Sequence, residues 1–68
     1  MDKEYINKRV VEIEVEIADM LIERDNLIKK RRNMLDTMII AQLTDRIDYL
    51  KDAIDDKQFI LNTLRMAA

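Results

Sequence analysis

The sequence predicts an all-α fold: an antiparallel, coiled-coil-like helical hairpin that dimerises into a four-helix bundle. Three observations predict it. The 68-residue chain holds neither Gly nor Pro, so it lacks both the residues that break helices and those that build tight β-turns. Both halves place apolar residues at spacings of three and four. Between the halves, "RRNMLDT" carries residues suited to stopping one helix and starting the next.

Helix 1 is expected over about residues 3–32. Its first half holds a stretch that imitates a strand. In "VVEIEVEI" (residues 10 to 17), Val11, Ile13, Val15 and Ile17 alternate with Glu12, Glu14 and Glu16, the period-two pattern of a half-buried strand. Placed at steps of about 100°, the same residues sort differently. Ile6, Val10, Ile13, Ile17, Met20 and Leu21 make one apolar stripe, and Val11, Val15, Ala18 and Ile22 make a second beside it. Glu12, Glu16, Asp19 and Glu23 gather on the opposite face. The continuation "ADMLIERDNLIKKRR" keeps the three-four rhythm, and Glu favours helix over strand.

The turn falls at about residues 33–36. Lys29, Lys30, Arg31 and Arg32 suit the negative end of a helix dipole, and Asn33 can take the left-handed conformation there. Asp36 or Thr37 can cap the next helix. Helix 2, about residues 37–65, carries Ile40, Leu43, Ile47, Leu50, Ile54, Leu61 and Leu64 on one side, with Lys57 filling the interval of seven. Asp45, Asp48, Asp52, Asp55 and Asp56 cluster on the far side.

The halves mirror each other about Leu35 and Asp36. This mirror sets Val10 opposite Leu61, Ile17 opposite Ile54, Leu21 opposite Leu50 and Ile28 opposite Leu43. It also sets Glu14 against Lys57 and Asp25 against Arg46, two pairs of opposite sign. The expected core and oligomer seam is therefore Val10, Val11, Ile13, Val15, Ile17, Leu21, Ile22 and Ile28 with Leu43, Ile47, Leu50, Ile54, Leu61 and Leu64, in a single hairpin domain over residues 1–68. The alternative is one continuous helix in a coiled-coil dimer, about 90 Å long at about 1.5 Å per residue. That rod would carry Arg24 and Arg31 on its seam.

A chain this short buries a marginal core and usually needs a staple. Zero Cys removes disulfides, and zero His removes the commonest other metal ligand, which leaves a second copy of the chain. A dimer of hairpins would also cover the second stripe of helix 1. The layout resembles the Rop-type bundle, in which two helical hairpins dimerise. The likeness is one of length and periodicity, and no residue role is carried across.

Several chemistries are excluded. Without His, Cys or Ser there is no nucleophilic triad in one chain, and without Gly there is no phosphate-cradling loop or standard calcium loop. No enzyme activity, cofactor or metal is expected. The row Asp48, Asp52, Asp55 reads as a solvated acidic face rather than a cation site. A net charge of −2 gives no global pull toward nucleic acid. No apolar run nears the roughly 20 residues a bilayer requires, and "MDKEYINKR" has no apolar core of a secretory signal, so a cytoplasmic location is expected. The bias toward Ile, Lys, Met, Asn and Asp suits an AT-rich genome, which phages and low-GC bacteria share.

Three surfaces remain. Lys29, Lys30, Arg31 and Arg32 read either as a phosphate-contacting patch or, preferentially, as dipole complementation at a helix end. The acidic ridge of Glu12, Glu16, Asp19 and Glu23 with Asp45, Asp48, Asp52 and Asp55 reads as a mimic of nucleic acid or as a solubilising face. Phe59, on the acidic side with Met66 beyond it, reads as a partner anchor or as a subunit contact. The expected function is a non-enzymatic homo-oligomeric interaction module, a small regulatory or accessory factor of phage-like kind that binds a partner protein. Nucleic-acid binding through Lys29 to Arg32, or inhibition by an acidic nucleic-acid mimic, is the alternative.

Overall fold

A computed structural model describes residues 2–67 as two α-helices, α1 over Lys3–Arg32 and α2 over Thr37–Ala67, packed side by side. The Cα atoms fill a rod of 51 × 14 × 11 Å. The chain reverses at residues 33–36, so the hairpin describes it and the unbroken helix does not. "VVEIEVEI" lies wholly within α1.

Each helix begins on an aspartate. Asp2, in an extended conformation, accepts a hydrogen bond from the Glu4 backbone N–H through Oδ1 at 3.0 Å. Asp36 does the same for α2, where Oδ1 accepts from the N–H groups of Met38 (2.9 Å) and Ile39 (3.3 Å). Each carboxylate satisfies donors that the first turn leaves orphaned and sets a negative charge at the positive end of the dipole. Thr37 is the first helical residue rather than the cap.

The end of α1 differs from the expected left-handed stop. Asn33 sits at φ −100°, ψ 3°, and no described residue has a positive φ. The helix tightens instead: the Asn33 N–H donates to the Lys30 carbonyl (3.3 Å) and the Met34 N–H to the Arg31 carbonyl (3.1 Å). These i→i−3 bonds satisfy the late carbonyls, so the reversal needs no left-handed residue.

Ile6, Ile13 and Ile17 of α1 and Leu43, Ile47, Leu50, Ile54 and Leu61 of α2 are the buried residues. Ile13, Ile17, Ile54 and Leu61 form one cluster, with Val10, Met20, Leu21 and Leu64 packed partly buried against it. Each helix breaks its apolar seam with cations. On α1 these are Arg24, which pairs with Asp25 at 3.2 Å, and Arg31, which donates to Thr44 Oγ1 on α2 at 3.2 Å. On α2 it is half-buried Lys57, which reaches Glu16. Their aliphatic stems cover the seam while the charged heads turn to its edge.

The second apolar stripe does not lie beside the first. Val11, Val15 and Ile22 are 60%, 55% and 61% exposed, whereas Ile13 is 1% exposed. The stripe follows the core seam two residues behind, and two residues rotate a helix by about 200°, which places the stripes on nearly opposite sides. Two interleaved seams offset by two residues also explain why "VVEIEVEI" alternates.

Candidate functional site

The edges of the helix–helix seam carry the charges. The mirror pairing set Glu14 against Lys57 and Asp25 against Arg46, and the structure corrects both. Lys57 Nζ pairs with Glu16, and the Arg46 guanidinium grips Glu23, with Nε at 2.7 Å from one oxygen and Nη2 at 3.3 Å from the other. Glu14 instead meets Arg65 at 3.4 Å, and Asp25 meets its neighbour Arg24. Glu14 and Glu16 are two residues apart, so they flank the seam on opposite sides. Lys57 and Arg46 leave α2 on the side that faces Glu16 and Glu23. A linear mirror has no knowledge of sides.

That edge continues past the pairs. Arg9 bridges to Glu12 at 3.2 Å and Glu16 at 3.8 Å, and Arg46 lies over the Tyr49 ring, 4.9 Å from its centroid. The hydrogen bond from Lys57 holds the Glu16 carboxyl below its ordinary range, and that from Arg46 does the same for Glu23. The bond to Glu23 in turn raises the Arg46 guanidinium. Half of the expected acidic ridge on α1 is therefore a line of neutralised, interhelical pairs. Sequence reasoning missed Arg9, Arg65 and Thr44 as partners. The signal available was the side of the seam on which each residue falls, rather than its distance from the turn.

The basic run is divided. Lys29, Lys30 and Arg32 are exposed, whereas Arg31 is half-buried against Thr44. The four side chains point to four sides of the last turn, where they complement the dipole of α1. The hairpin tip beside them is apolar, with Leu35 94% exposed.

On α2, Asp48, Asp52 and Asp55 are exposed. Among the described residues, no group of three or more Asp or Glu converges on a point where a metal ion would sit. Phe59 is 73% exposed and Met66 is exposed beyond it. The Phe59 backbone carbonyl accepts from Thr63 Oγ1 at 3.0 Å. The face of α2 away from α1 thus combines a free aromatic ring with carboxylates.

The apolar surfaces are the stronger feature. The seam residues Ile13, Ile17, Leu43, Ile47, Leu50, Ile54 and Leu61 are buried between the helices, and Val10, Leu21, Ile28 and Leu64 are half-buried at its margin. Val11, Val15 and Ile22 form the outward stripe. No described helix is long and apolar enough to cross a membrane. Comparison with protein-family models, with curated proteins and with solved structures returns no match.

Proposed function

We propose that the chain is a non-enzymatic, homo-oligomeric helical module of the cytoplasm, in which two hairpins join into a four-helix assembly that binds and modulates a partner protein. One observation carries the reading. Helix α1 already buries one side against α2, yet it presents Val11, Val15 and Ile22 in a line on the other, each more than half exposed. Aliphatic residues scattered singly on a surface mean little, but a line at helical spacing is the pattern of a helix with a second neighbour. A two-helix unit of this length is also marginal without one. Absence of His, Cys, Ser and Gly leaves the chain poor in groups for catalysis, which supports an interaction role.

Self-association and partner binding use different surfaces in this reading. The α1 stripe serves the second copy, and Phe59 with Asp48, Asp52 and Asp55 on α2 faces the client. Sedimentation equilibrium across the micromolar range tests the first half and should give twice the mass of the chain. A folded monomer throughout that range refutes it. Capture with wild-type and Phe59→Ala protein in parallel tests the second half, with retention of a protein by the wild type alone as the supporting result.

A further inference from the structure

Accepting the homo-oligomeric reading, the geometry points to how the two copies meet: α1 against α1 of the second copy, antiparallel, about a two-fold axis between Glu16 and Ile17. The outward stripe of α1 extends beyond its apolar centre. Glu4, Lys8, Val11, Val15, Ala18, Ile22, Asp25 and Lys29 follow one another at alternating intervals of four and three, the spacing of the a and d positions of a coiled coil. All eight are exposed in the hairpin.

The row is self-complementary when reversed. Reflected about its midpoint, Val15 faces Ala18 of the second copy, Val11 faces Ile22, Lys8 faces Asp25 and Glu4 faces Lys29. Each pair joins an a position to a d position, as antiparallel helices require. The apolar pairs occupy the centre and the opposite charges lie outside them. Two-fold symmetry repeats every pair, so the same patch serves both partners. The small Ala18 opposite Val15 lets the backbones approach closest near the axis. A parallel arrangement would stack Lys8 on Lys8 and Asp25 on Asp25, which like-charge repulsion opposes.

Within the hairpin these charges are little used. Among the described residues, Glu4, Lys8 and Lys29 make no ion pair, and Asp25 makes only its contact with adjacent Arg24. The row from Glu4 to Lys29 runs about 38 Å at 1.5 Å per residue, long enough for a coiled-coil contact. Because the row lies nearly opposite the core seam, the four helices form an open row with the α1 helices in the middle and the α2 helices outside. A closed square bundle would need the two seams side by side.

Charge reversal on both members of one pair tests this arrangement. Lys8→Glu sets Glu against Asp25 of the second copy, and Asp25→Lys sets Lys against Lys8. Each substitution is made on an exposed position, and circular dichroism confirms that the helices persist. Each variant alone should dimerise at least about tenfold more weakly than the wild type, because two attractive contacts become two repulsive ones. An equimolar mixture should recover the wild-type affinity as a heterodimer, since both of its cross-pairs join opposite charges. Two variants that each dimerise like the wild type would overturn the register while leaving self-association intact. So would two weakened variants that fail to rescue each other on mixing. A wild-type chain that stays monomeric would overturn the homo-oligomeric reading itself.

Discussion

Ile13→Ala and Ile22→Ala remove the same atoms from the same helix and should have opposite consequences. Ile13 is 1% exposed and belongs to the cluster with Ile17, Ile54 and Leu61. Truncating a buried Ile to Ala costs about 2–5 kcal/mol, the lost transfer energy plus the cavity left behind. At roughly 0.05–0.15 kcal/mol per residue, a chain of 68 residues has about 3–10 kcal/mol of stability to lose. Ile13→Ala therefore removes a large fraction, and Tm should fall by at least about 8 °C. Ile22 is 61% exposed, so truncation forfeits less than half of a burial worth about 2 kcal/mol. The better helix propensity of Ala returns about 0.4 kcal/mol of that, for a net change of roughly 0.5 kcal/mol in the isolated hairpin. Urea unfolding followed by circular dichroism, at concentrations where the hairpin is monomeric, measures both. In sedimentation the order reverses, with Ile22→Ala weakening self-association while the hairpin stays folded. Equal losses of hairpin stability for the two variants would refute the assignment of inner and outer faces.

Two further outcomes follow from the caps and the edge pairs. Asp36→Ala leaves the N–H groups of Met38 and Ile39 without their acceptor and should cost about 1 kcal/mol, with Asp36→Asn close to wild type. The urea midpoint reads both, and an unchanged midpoint for Asp36→Ala would remove its role in starting α2. Glu16 and Glu23 titrate below their ordinary value of 4.5 in the folded hairpin because Lys57 and Arg46 donate to them. Their contribution to stability is thus complete above that value and is lost as pH falls through the lower folded values. The unfolding temperature should accordingly fall below about pH 4.5, and less steeply in Glu16→Gln/Glu23→Gln protein. Identical acid profiles for the two proteins would show that neither pair contributes.

The hairpin was legible because its determinants are local. The rhythm from Ile40 to Leu64 fixes one face of α2, and Asp36 bonds to residues two and three places along the chain. The interhelical ion pairs were not legible from the mirror about Leu35. Lys and Arg reach sideways over several residues, so the choice between Glu14 and Glu16 is made by the flank of the seam. Asn33 departs from its expected conformation for a related reason. Its type permits a left-handed stop, but two i→i−3 bonds closed the helix without one. The sequence shows the second stripe of α1 as apolar and predicts it beside the first. Val11, Val15 and Ile22 lie nearly opposite it, exposed on the far side of α1. Function was the least legible, because Leu, Ile and carboxylates specify a surface more than a reaction.

The ladder of contacts between the two helices also implies an order of assembly. The bond from Arg31 to Thr44 joins residues thirteen positions apart, and that from Arg46 to Glu23 joins residues twenty-three apart. The links of Lys57 to Glu16 and Arg65 to Glu14 close longer loops still. Each inner rung shortens the loop that the next must close, so ordering entropy is lost in small steps from the bend outward. The hairpin should form as a zipper does, starting at Asp36 and finishing at Ile6. On unfolding, the free ends should open first.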